Sequence, residues 1–191
     1  MNDIIAIDTE TGGLYPSLHA LLSISVVPSW DELPLTLHIL PQPDRLIDPE
    51  AAKLNGYTPL LWEQRNAVPL RQAMLLLASE LQMLFSQKKD ARLVAHNAGF
   101  DRPFLEEAAR VCDINLPSRY AWRCSMMLMG ELMDAGQLPA GSLSLARLGE
   151  LCGHWPVGSR PTVHDAGQDA RACLAGYQWL LQKKEAALAA N

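Results

Sequence analysis

The sequence predicts an α/β fold in a single domain, on three observations. The first part of the chain holds three short aliphatic runs of strand length, the next clear periodicity is helical, and from Leu93 onward the two patterns alternate. Ile4-Ile5-Ala6-Ile7 is all apolar and ends at Asp8, as expected of a central strand covered on both faces. Leu21 to Val27 and Leu35 to Leu40 are bounded by Pro28, Pro34 and Pro41, which completes an antiparallel meander. Pro41 to Pro69 reads as irregular chain with a short helix near Glu50 to Asn55. Pro69 then opens a helix in which Leu70, Ala73, Met74, Leu77, Leu81, Leu84 and Phe85 recur at helical spacing. Leu93-Val94-Ala95 is a further strand, followed by the turn His96 to Gly99 and a helix from about Pro103 to Cys112. Tyr120 to Cys124 is the candidate fifth strand. Helical stretches follow near Met126 to Ala135 and Ser144 to Leu151. The loop GHWPVGSRPTV at 153–163 leads to a last helix from about Asp165 to Ala187.

Composition narrows the class. At 191 residues the chain suits one compact unit with its own core, taken here as 1–191. Hydrophobic residues at 49% and charged residues at 19% exclude disorder, collagen-like repeats and coiled coil. No apolar run reaches the roughly 18 residues of a membrane span, and MNDIIAIDTETGG lacks the charged and apolar regions of a secretory signal. Cys112, Cys124, Cys152 and Cys173 form no C-x-x-C pair, so neither a disulfide framework nor a zinc knuckle is expected, and a reducing cytoplasm is the expected location. Net charge is −5, with 16 Lys and Arg against 21 Asp and Glu. A nucleic-acid partner would therefore be gripped over only a few nucleotides.

The informative feature is where the acids fall. Asp8 and Glu10 are two residues apart, so on a continuing strand both project from one face at its C-terminal end, where ligands bind in open α/β sheets. Asp101 follows another short apolar strand, and Asp169 borders the inward stripe Ala166, Ala170, Cys173, Tyr177 and Leu180 of the last helix. His164 precedes Asp169 by five residues, about 140° of helical rotation, so it belongs on the loop before the helix. Asp165, with Gln168 three residues on, is assigned to capping. Each acid also has an ordinary reading: a polar turn after Ile7, a cap for the helix at Pro103, a solvated flank at Asp169. None has an obvious basic partner, however, and like charges within about 5 Å cost on the order of 3 kcal/mol per pair at an effective dielectric near 20. A convergent cluster needs divalent cations or raised pKa values. All-oxygen ligation without Cys selects Mg²⁺ or Mn²⁺. Two such ions suit in-line phosphoryl displacement, with histidine as the base that takes the proton of the attacking water.

Asp8-x-Glu10 in IAIDTETGGL, Asp101 in VAHNAGFDRPFL and His164-x4-Asp169 in HDAGQDA resemble, in order, the three motifs of the DEDDh (DnaQ-like) 3′–5′ exonucleases. The likeness spans residues 4–180. It implies an RNase H-like fold, a five-stranded mixed sheet flanked by helices. It also implies two metal ions held by Asp8, Glu10, Asp101 and Asp169, with His164 as general base. The expected reaction is release of nucleoside 5′-monophosphates from the 3′ end of single-stranded or frayed DNA. An exoribonuclease or oligoribonuclease of the same family is the alternative, as is a polymerase-associated nucleic-acid-binding subunit. By the same likeness Thr9 and Leu14 contact the terminal nucleotide, while Asn97 and Phe100 help form its pocket. The chain departs from the family at Gly12, where many relatives carry Thr.

Other residues receive plainer readings. Arg160 shares the His164 loop and is the best candidate for a phosphate contact; Arg102, Arg119 and Arg123 are solvated alternatives. Trp155 is read as capping a satellite apolar cluster rather than stacking on a base. Met126, Met127, Met129 and Met133 are read as core filler and His96 as a structural histidine at a strand end. A homodimer and a polymerase partner both stay open.

Overall fold

The computed structural model describes residues 3–30, 33–117 and 122–189. Among these, strands β1 (Ile4–Thr11), β2 (Leu21–Pro28), β3 (Leu35–His38), β4 (Arg92–Ala95) and β5 (Arg123–Cys124) form one mixed sheet in the order β3-β2-β1-β4-β5. β1 and β2 pair antiparallel, as do β2 and β3, whereas β4 and β5 run parallel to β1. Parallel pairing needs crossovers, and the helices supply them: α1 (Pro49–Asn55), α2 (Pro59–Gln64), α3 (Leu70–Gln87), α4 (Ala98–Cys112), α5 (Ser125–Asp134), α6 (Leu145–Leu151) and α7 (Ala166–Ala189). The C-terminal ends of β1, β4 and β5 therefore meet at one edge.

The alternation of β1 sorts the two layers. Ile5 and Ile7 pack with Met74, Leu77, Phe104 and Leu105 of α3 and α4. Ile4 packs with Val94, Cys173, Tyr177 and Leu180, and Ala6 with Ala170, on the α7 side. Even-numbered side chains thus face α7 and odd-numbered ones face α4. The α7-facing row continues into Asp8 and Glu10.

Several boundaries differ from the sequence reading. β1 runs past Ile7 because Asp8, Thr9 and Glu10 keep their register with Ser25, Ile24 and Ser23 of β2, up to an irregularity between Glu10 and Thr11. α2 lies where the sequence reads as irregular chain. Its six residues are too few to show periodicity, yet Pro59 sits in the first turn, the Thr58 hydroxyl accepts from the Leu61 amide at 3.1 Å, and buried Trp62 donates to the Leu22 carbonyl at 2.9 Å. α4 begins at Ala98 instead of Pro103, because Asn97 takes a left-handed conformation (φ 69°) that starts the helix early and leaves Pro103 inside it. Asp101 is therefore a residue of the first turn and not a cap. The methionines are not uniform core filler: Met129 is buried, whereas Met127 is 66% exposed. Tyr120, Ala121 and Arg119 lie outside the described residues. Among the described residues no helix is long and apolar enough to cross a membrane.

Candidate active site

A cavity of about 480 Å³ opens at the C-terminal edge of β1 and β4. All ten residues singled out from the sequence line it: Asp8, Thr9, Glu10, Leu14, Asn97, Phe100, Asp101, Arg160, His164 and Asp169. They come from four places, β1 with the turn after it, the start of α4, the loop before α7, and the first turn of α7. β1 delivers Asp8 and Glu10 toward the α7 layer, where Asp169 waits one turn into the helix. From the other layer, Asp101 meets odd-numbered Thr9, whose amide and hydroxyl both donate to its Oδ1, at 3.0 and 2.9 Å. His164 sits on the loop, as the spacing required. Its amide donates to the Leu54 carbonyl at 2.8 Å, and its Nδ1 lies 4.0 Å from Asp169 Oδ2. Ligand atoms of Glu10, His164 and Asp169 all lie within 4.8 Å of one another. The clustered carboxylates, with no thiolate among them, are an oxygen donor set for hard divalent ions, so the residues present fit such a metal.

The electrostatics match that chemistry. Burial, reinforced by Asp101, Glu10 and Asp169, holds the Asp8 carboxyl well above the usual range. Burial and then Asp169 push Glu10 up to about 8. Burial raises Asp101 to about 7 despite its two bonds from Thr9. Carboxylates so crowded favour protons until cations replace them. His164 moves the other way: burial, then the Arg160 guanidinium, lower its pKa, against the pull of Asp169.

One partner was missing from the sequence reading. Asp169 has a cation after all, since Arg160 Nη2 lies 2.5 Å from its Oδ2. Trp155 explains how Arg160 arrives there. Its ring packs on α6 at Gly149 and on the neighbouring apolar cluster, as the plainer reading had it, and the Arg160 guanidinium carbon stands 5.7 Å from the ring centroid. Arg102 instead pairs with Glu106 on the exposed face of α4, 2.7 Å away. Asp165 caps α7, its Oδ1 accepting from the Gln168 amide at 3.1 Å.

Further lining residues escaped sequence reasoning. Asn55 is buried and donates to the Thr11 carbonyl at 3.0 Å, fixing the end of β1; its only signal was the Asn-Gly pair closing α1. His96 lies 2.8 Å from Ser125 Oγ and 2.9 Å from the Leu143 carbonyl. A carbonyl only accepts, so Nε2 carries the proton and Nδ1 accepts from the serine. Burial lowers its pKa to about 4 and keeps the ring neutral. This structural histidine thus ties β4 to the chain before α6. Met126 also lines the cavity. The departure at Gly12 has a steric cause: a Cβ there would stand 2.5 Å from the Leu46 carbonyl oxygen and 3.0 Å from Ile47 Cα.

The model of the RNase_T exonuclease family matches residues 5–177. The chain belongs to this family. It is 34% identical over 144 residues to a protein of Mycobacterium tuberculosis named as a bifunctional exonuclease/endonuclease, covering 75% of this chain and 20% of that one. It is 36% identical over 115 residues to a ribonuclease T of Baumannia cicadellinicola, covering 55% of this chain and 52% of that protein. The chain thus spans from a fifth to about half of the length of these relatives. E. coli Exonuclease I, solved with a dT13 oligonucleotide, superposes with a TM-score of 0.79 at 16% identity, over 98% of this chain and 43% of the other. The fold is the RNase H-like one that the motifs implied.

Proposed function

We propose that the chain is a metal-dependent 3′–5′ exonuclease that releases nucleoside 5′-monophosphates from the 3′ end of single-stranded or frayed DNA. The observation that carries this reading is the meeting of Asp8, Glu10, Asp101, Asp169 and His164 in one open cavity. In this reading Asp8, Glu10, Asp101 and Asp169 hold two Mg²⁺ or Mn²⁺ ions. When bound, the ions supply the positive charge that makes water acidic and offsets the charge developing on the leaving oxygen. His164 takes the proton of the attacking water. Its lowered pKa supports that role, because the ring is then neutral and free to accept near neutral pH. Exposed Leu14 and half-buried Phe100 supply apolar surface for the terminal base, and Asn97 flanks them. Thr9 acts from behind, its hydroxyl committed to Asp101. Arg160 is the arginine among the cavity residues, in keeping with a grip on few phosphates.

A second reading, an exoribonuclease on the same chemistry, is favoured by the relatives named ribonuclease T. The 2′-hydroxyl separates the two substrates. Labelled DNA and RNA oligonucleotides of one sequence, digested with Mg²⁺ or Mn²⁺, test both readings at once. Wild type should shorten the strand from its 3′ end to 5′-mononucleotides, and Asp169→Ala should not. His164→Ala should keep metal binding and lose about 10²- to 10⁴-fold in turnover. Equal release by wild type and Asp169→Ala would remove the proposed site.

A further inference from the structure

Arg160 is placed unlike a residue that merely awaits a phosphate. Its Nη2 lies 2.5 Å from Asp169 Oδ2, the oxygen that also faces His164 Nδ1 at 4.0 Å. Among the described residues, Glu10, His164 and Asp169 are the group whose ligand atoms lie within 4.8 Å of one another. The guanidinium thus stands against a carboxylate that a divalent ion at this group would use. Its own bonding is incomplete. Arg160 Nε is buried and has no hydrogen-bond partner, although an arginine offers five N–H donors in a planar fork. The Trp155 ring, its centroid 5.7 Å from the guanidinium carbon, lies beside the group without supplying an acceptor.

Two physical constraints follow from this geometry. An ion and a guanidinium on the same Asp169 carboxylate are like charges at close range, so one weakens the other. A guanidinium released from Asp169 has Nε and an Nη to offer side by side, the fork that suits two oxygens of one phosphate. Phosphate binding would give Nε the partner that it lacks.

We propose that Arg160 is a resident counterion of the carboxylate cluster: it neutralises Asp169 in the metal-free site, is displaced when a divalent ion binds, and then takes a phosphate of the nucleic acid. The proposal rests on the exonuclease reading for its substrate, but its first test does not involve turnover. Mn²⁺ alone is titrated into wild type, Arg160→Met and Arg160→Gln by calorimetry or by electron paramagnetic resonance, at one fixed pH. Methionine keeps an apolar stem over Trp155, and glutamine keeps a donor without the charge. Both variants should bind Mn²⁺ about tenfold more tightly than wild type, because a competing cation is gone. In Ca²⁺ the same variants should bind a single-stranded oligonucleotide more weakly, with a salt dependence lower by about one phosphate contact.

Folding of each variant is checked by its melting temperature in EDTA, and the glutamine variant carries the test where methionine lowers it. Unchanged or weaker Mn²⁺ affinity in a folded variant overturns the exchange, whatever the nuclease assay gives. Tighter Mn²⁺ binding with undiminished oligonucleotide binding overturns the transfer to phosphate. A wild type that binds Mn²⁺ yet digests no oligonucleotide overturns the functional reading instead.

Discussion

Raising the pH from about 7 to about 8.5 in metal-free buffer should destabilise this protein, and Mn²⁺ should remove the effect. Glu10 keeps its proton up to about pH 8 in the fold, against an ordinary 4.5, and Asp101 keeps its own to about 7 against 3.8. An acid with a raised folded pKa binds its proton more tightly folded than unfolded. Its penalty is absent below the unfolded pKa, grows as pH climbs, and is complete above the folded pKa. For Glu10 the interval from 4.5 to about 8, at about 1.4 kcal/mol per pH unit, bounds the full penalty at about 5 kcal/mol. Asp8, Glu10 and Asp101 repel one another, so their penalties do not add. Below about pH 6.5 the half-buried histidines act in the opposite sense, because His96 and His164 are held neutral in the fold while the unfolded chain takes up protons. The clean window is therefore above neutrality. There the last part of the Glu10 penalty is about 1 kcal/mol, or about 2–4 °C in melting temperature for a chain of this size. Calorimetric melting over this range, in EDTA and in excess Mn²⁺, measures it. Titrations of Mn²⁺ in two buffers of different ionisation heat should show protons leaving as the ion enters. A metal-free melting temperature that is flat or rising in this window, with no proton released by Mn²⁺, would refute the reasoning.

Two local perturbations test the scaffold around the cluster. Gly12→Ala should cost about 1–3 kcal/mol in chemical denaturation, since the new Cβ meets the Leu46 carbonyl oxygen rather than a movable side chain; an unchanged midpoint would show that the 46–47 segment yields freely. Thr9→Val removes one of the two donors that Thr9 gives to a buried carboxylate, so it should cost about 1–2 kcal/mol and push the Asp101 carboxyl still higher than about 7. Carbon-detected NMR titration of that carboxyl reads the second effect, and a fall in its pKa would contradict the role given to the hydroxyl.

Much of the architecture was legible because its signals are local. The run from Ile4 to Ile7 announced a strand with two covered faces, and both faces are covered. The stripe from Leu70 to Phe85 became α3, with its marked residues buried, apart from half-buried Leu70. The two-residue step from Asp8 to Glu10 and the five-residue step from His164 to Asp169 fixed which side chains share a face and which cannot. Less was legible where signals were short or depended on one backbone angle. α2 spans under two turns, and the early start of α4 hangs on the left-handed Asn97.

What the sequence determined by itself was the supply of parts: acids at the ends of buried elements, a histidine on the loop before α7, and no thiolate pairs. Periodicity suffices for that, because it reports which way neighbouring side chains point along one element. What only the tertiary structure decided was how those parts meet across elements. Nothing in the spacing of Arg160 and Asp169 announces a 2.5 Å contact, since it depends on how the loop folds back over Trp155. The bond from Thr9 to Asp101, the His96 link to Ser125 and Leu143, and the squeeze at Gly12 likewise join residues whose separation in the chain carries no angular information. Contacts between elements are set by packing in three dimensions, and a one-dimensional repeat cannot encode them.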